Sequence, residues 1–193
     1  NTLPSHIKYH RNDPEHYHIT VYMTSQPHTL RPDPFDISRK LLTAESSPQE
    51  IYKLVTPEQE TLGKETEVIR HAAAATPPPQ FEVHRILLAD SGTLLLCNVD
   101  VSGSTTPLRR RLKESFPAGP PRQSTIYHSS LARILSPEQL DKEMIQKMQD
   151  VCDKWSRKLK GRQFRASALY HVSEERFATV EGPAVELPFR SAK

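Results

Sequence analysis

Proline decides where this chain can be regular. Seventeen prolines stand against six glycines, and each one fixes φ and removes a backbone donor. They gather in the first fifteen residues, from Pro27 to Pro57, at Pro77-Pro78-Pro79, and in the loop Pro117–Pro121. Among the windows free of proline are 15–26, 58–76, 80–106, 122–136 and 138–182. Regular structure is expected there, joined by stiffened connections.

Each window carries its own period. Asn1–Glu15 is polar and reads as a lead-in arm. Tyr17–Met23 alternates and is rich in β-branched and aromatic residues, which predicts a strand. Short helices are expected over Phe35–Leu42 and Pro48–Val55. Thr56-Pro57-Glu58-Gln59 is an N-cap signal for a helix through Ile69 to Ala75, with Gly63 as its weak point. Phe81–Leu88 and Thr93–Val101 flank Asp90-Ser91-Gly92, a hairpin signature. A short helix is expected over 107–115, capped by Ser104-Thr105-Thr106, with Leu108 and Leu112 inward. Ser124–Leu135 reads as a strand. Ser136-Pro137-Glu138-Gln139 then opens the longest helix, which Gly161 stops. Leu140, Met144, Ile145, Met148, Val151, Cys152, Trp155 and Leu159 form its expected core stripe. Arg165–Val172 and Phe177–Leu187 are a last extended pair.

Composition excludes several classes. No run approaches the roughly 18 apolar residues of a membrane span. Two cysteines, Cys97 and Cys152, supply neither a disulfide framework nor a four-cysteine zinc site. They read as small core residues in an intracellular, reducing setting, with cytoplasm, nucleus and organelle undistinguished. A net charge of +3 suits a cleft for one or two phosphates better than a long basic track. The chain begins at Asn1, which reads as a processed or trimmed form. His6, His10, His16 and His28 lack the Cys pair or helical spacing of a metal site, so no metal and no cofactor is expected.

One pattern carries chemistry. Tyr17-His18-Ile19-Thr20 and Tyr127-His128-Ser129-Ser130 each set a hydroxyl two residues after a histidine. On a strand, positions i and i+2 share a face about 6.5–7 Å apart. Two such strands side by side would give two imidazoles and two hydroxyls around one phosphate. One imidazole would act as base and the other as acid, while the hydroxyls hold phosphate oxygens. A third triplet, His171-Val172-Ser173, stands at a strand end before Glu174-Glu175 and is set aside as a decoy.

In these residues the chain resembles the two-histidine phosphoesterase superfamily, the ligT-like group that includes cyclic nucleotide phosphodiesterases. HITV at 18–21 matches the family tetrad in full, and HSSL at 128–131 departs only at Ser129; Ala132-Arg133 is also family-like. The resemblance implies an α+β, bilobal, pseudo-symmetric fold, with antiparallel sheets lining a central cleft and helices outside. The lobes would be 1–103, with a helical insertion over about 24–80, and 104–193, in one domain of 193 residues. It implies a metal-independent phosphodiesterase acting on a 2′,3′-cyclic phosphate or an RNA 3′ end. By matching position, His18 and His128 would be catalytic, and Thr20 and Ser130 would bind phosphate.

The remaining candidates are peripheral. Arg109, Arg110 and Arg111 form a basic helix face or a rim for an RNA backbone. Tyr17 and Tyr127 point away from the site by alternation and are expected in the core; from the cleft they would stack on a base. Arg133 falls on the strand face opposite Ser130, which suggests an ion pair. The alternative to an enzyme is an RNA-binding or structural subunit of a ribonucleoprotein, weak or inactive in catalysis, docking through the 24–80 insertion. A nucleotide or RNA partner and no membrane are expected on either reading.

Overall fold

The computed structural model describes residues 7–25, 33–37, 59–174 and 182–190. It is α+β, with antiparallel strands throughout and three α-helices among the described residues. The chain forms two compact units, each assembled from three separate stretches.

The first unit comprises residues 1–20, 80–101 and 126–164. Its strands β1 (Tyr9–Arg11), β2 (Gln80–Leu88), β3 (Thr93–Asp100), β4 (Tyr127–Ile134) and β5 (Gln163–Arg165) form one curled sheet in the order β1-β4-β3-β2-β5. The β2–β3 hairpin is as expected. Gly92 takes φ +78°, and its N–H donates to the Ala89 carbonyl. The lead-in arm is more ordered than its polarity suggests. Ile7 is buried, and Tyr9, His10 and Arg11 pair with Ile134, Arg133 and Ala132.

The long helix begins later than the capping box predicts. Pro137–Gln139 form a separate 3₁₀ turn, Leu140 is extended, and the α-helix runs over Lys142–Leu159 (here α3). Asp141 caps it by accepting from the Met144 N–H at 2.8 Å, whereas Ser136 makes no capping bond. The helix docks on the edge of β2. The Ser156 hydroxyl accepts from the Ile86 N–H at 2.8 Å and donates to the Ile86 carbonyl at 3.2 Å. That docking sets the helix's rotation. Ile145, Met148, Cys152, Ser156 and Leu159 turn inward, while Val151 and Trp155 stay 47% and 42% exposed. The expected stripe is therefore corrected by about one residue, and Trp155 takes the Lys158 ammonium over its ring at 4.6 Å.

The second unit comprises residues 21–79, 102–125 and 165–193. Helices α1 (Gln59–Ala74) and α2 (Thr105–Ser115) share a core with the hairpin β6 (Ala168–Val172) and β7 (Ala184–Pro188). Ile69, Ala73, Leu108, Leu112, Phe116 and Leu187 fill it. Phe116 stacks on Tyr22 at 5.8 Å and meets Phe35 at 5.2 Å. The expected helices at 35–42 and 48–55 and the cap at Thr56 lie largely outside the described residues. The start of the last strand at Phe177 does too.

Candidate active site

Strand β4 supplies half of the expected constellation. His128 lies opposite Cys97, and Ser130 opposite Leu95. Both side chains therefore stand on one face of the sheet, as alternation requires. Both are half-buried. The His128 Nδ1 atom is shielded from solvent and has no hydrogen-bond partner among the described residues. Tyr127 and Ser129 occupy the other face. There Tyr127 meets the Phe81 ring at 5.6 Å, consistent with the expected core position.

His18 and Thr20 belong to the same compact unit as His128 and Ser130. The expected strand at Tyr17–Met23 is not formed; the backbone there is irregular. The reason lies just upstream. After β1, Asn12 ends the pairing with β4: its N–H donates to the Leu131 carbonyl at 3.1 Å and its amide to the Ser130 carbonyl at 2.8 Å. Asp13 then caps a 3₁₀ turn over Pro14–His16 by accepting from the Glu15 N–H. Further along, a side-chain amide bonds the backbone. Gln123 accepts from the Met23 N–H and donates to the Met23 carbonyl, both at 2.9 Å. The same-face placement of His18 and Thr20 thus loses its strand basis. Tyr17 is 41% exposed rather than in the core.

The tautomer of His18 is set locally. Its Nδ1 lies 2.8 Å from the His16 carbonyl oxygen, which only accepts, so Nδ1 carries the hydrogen. In the neutral ring the lone pair is then on Nε2. Both His18 and Thr20 are half-buried.

Of two further residues on the His128 face, sequence reasoning missed Arg85 and placed Arg133 on the reverse side. Arg85 lies opposite Cys97 on the other side of β3, which puts Arg85, Cys97 and His128 in one row. Arg133 lies opposite Thr93, on the same face as Ser130. Its expected position on the reverse face is corrected by an irregularity between the two residues. Burial pushes the Cys97 thiol up, and the nearby Arg85 charge pulls it part of the way back. Only the adjacent basic pair His84-Arg85 in a strand hinted at this in the sequence.

The other candidates sit in the second unit. Arg109 Nε donates to the Val21 carbonyl at 3.0 Å, and Arg111 Nη1 to the Thr76 hydroxyl at 3.1 Å. Arg110 extends toward Glu114 at 4.0 Å on an exposed face. Two of the three arginines thus tie segments of their own unit together. A groove of about 390 Å³ lies beside them, lined by Val68, His71, Ala72, Arg111, Glu114 and Ser115. His171 is sealed in a network. The Thr66 hydroxyl donates to the Leu62 carbonyl at 2.7 Å, so it accepts from His171 Nδ1 at 2.8 Å. His171 Nε2 faces Glu65 Oε2 at 3.2 Å. Both ring nitrogens are occupied, and Glu65 is only 3% exposed.

Among the described residues no group of three or more His, Cys, Asp or Glu side chains is arranged to hold a metal, and no helix is long and apolar enough to cross a membrane. No family model matches the chain, and no curated protein or solved structure does.

Proposed function

We propose that the chain is a metal-independent phosphodiesterase acting on a 2′,3′-cyclic phosphate or an RNA 3′ end, with His18 and His128 as its acid/base pair. The observation that carries this reading is the state of the two imidazoles. His18 is pinned through Nδ1, so its neutral ring offers Nε2 as a proton acceptor. His128 has a shielded Nδ1 with no partner among the described residues and a hydroxyl on the same face, an unusual arrangement for a histidine with only a packing role. On this reading His18 removes a proton from water or a ribose hydroxyl. His128, as the protonated imidazolium, gives its Nε2 proton to the leaving oxygen and becomes neutral, and Thr20 and Ser130 bind the equatorial oxygens. The bilobal, pseudo-symmetric arrangement and the cleft between lobes belong to the same proposal.

Hydrolysis of a 2′,3′-cyclic nucleotide with EDTA present tests it. Wild type should turn over, and His18→Ala and His128→Ala should each lose about 10²-fold or more. Equal rates in all three proteins would remove these residues from the chemistry. The irregular backbone at Tyr17–Met23 favours the second reading, a weakly active or inactive RNA-binding or structural subunit of a ribonucleoprotein retaining the same fold. Wild type that binds RNA without turnover would select it.

A further inference from the structure

Two β-bulges turn two arginines onto the His128 face. Unbroken alternation from Val83 would put His84 on that face and Arg85 behind it. Instead the register steps from Val83 opposite Asn98 to Arg85 opposite Cys97. On β4 it steps from Ser130 opposite Leu95 to Ala132 opposite Leu94, so Arg133 comes round opposite Thr93. Bulges are the usual device for re-aiming a side chain beside a site. Here both deliver a cation to the same surface.

That face reads in rows across β2, β3 and β4, with Thr93, Leu95 and Cys97 on the middle strand buried. Arg85, Cys97 and His128 form one row, and Leu87, Leu95 and Ser130 the next. Thr93 and Arg133 form the third, with His10 opposite Arg133 on β1. Arg85 is two strands from His128, about 10 Å across the sheet, and Arg133 is about 7 Å from Ser130 along it. The two arginines are thus about 16 Å apart on the diagonal, too far to share one phosphate. Both are exposed, and neither side chain makes a hydrogen bond or ion pair among the described residues. Glu82, the acid in register on this face, is engaged by the Gln163 amide at 3.0 Å.

We propose that Arg85 and Arg133 contact separate, non-adjacent backbone phosphates of a single-stranded oligonucleotide laid across this face, so that the site takes a strand with several phosphates in preference to a mononucleotide. The identity of the reacting phosphate at His128 and Ser130 rests on the function proposed above; the strand contact itself needs no turnover. Two guanidiniums with a half-buried imidazole and hydroxyl beside them suit a track that follows a backbone without reading bases.

Binding of a fluorescein-labelled octacytidylate RNA, measured between 50 and 200 mM salt, tests this. Each neutralised phosphate on a single strand contributes about 0.7 to the slope of log affinity against log salt. Arg85→Ala and Arg133→Ala should each weaken binding and flatten that slope by about 0.7, and Arg85→Lys and Arg133→Lys should restore it. Absence of wild-type binding, unchanged slopes, or equal competition by polyglutamate would overturn the proposal. Flattened slopes without hydrolysis would retain the strand contact and discard the two-histidine chemistry. Hydrolysis with unchanged slopes would do the reverse.

Discussion

Two glycines show how differently one residue type can be used. Gly92 holds φ +78°, and a Cβ there would lie 2.8 Å from the Ile134 carbonyl oxygen. Gly63 is helical, and a Cβ there would meet nothing within 4 Å. Urea denaturation should find Gly92→Ala destabilised by about 1–2 kcal/mol or more, because the left-handed conformation and the backbone clash act together. Gly63→Ala should gain about 0.5–1 kcal/mol. The cysteines give a second prediction. Burial raises both thiols above their ordinary value, with Asp153 adding to the effect at Cys152. The native thiolate fraction is therefore depressed. Reaction with DTNB at pH 8 should be slow in the folded protein and fast in urea; fast native reaction would contradict the burial. At this scale the sequence was readable where one residue type has one use, as with the turn glycine and the small buried thiols. It was not readable for His18, whose hydrogen position depends on the His16 carbonyl.

At the scale of elements, period and proline placed the β2–β3 hairpin, both ends of α2 to within two residues and the stop at Gly161. What failed were properties set by neighbours. The Tyr17–Met23 window has strand composition, yet it forms no strand, and the Gln123 amide bonds the Met23 backbone. The stripe on α3 has helical period, yet its rotation follows from Ser156 bonding the edge of β2. Ser156→Ala should therefore cost about 1–3 kcal/mol by leaving the Ile86 N–H unpaired, more than Val151→Ala on the exposed side. The two bulges were equally invisible, because one extra residue changes which face a side chain serves without changing the local pattern. In the second unit, α1 is held to β6 through Glu65 and His171. His171→Ala strands a buried carboxylate and should destabilise by about 3–5 kcal/mol. A small loss would mean that Glu65 reaches water.

At the scale of the whole molecule, the coarse α+β class with antiparallel strands was legible, whereas the order in which the strands assemble was not. Each compact unit draws on three stretches of chain, and pairings such as Tyr9 with Ile134 span most of its length. Local pattern holds no record of such contacts. Half of the expected site follows directly from β4, because His128 and Ser130 need only a strand to share a face. The other half depends on the path of the chain after Asn12, which composition does not dictate. The proposed chemistry requires His18 and His128 to serve one phosphate. Long-range ¹⁵N spectra of the imidazoles during titration with adenosine 2′-monophosphate measure this directly. Both rings should shift together along one saturation curve while His171 stays still. Shifts in only one of the pair, or in neither, would contradict it.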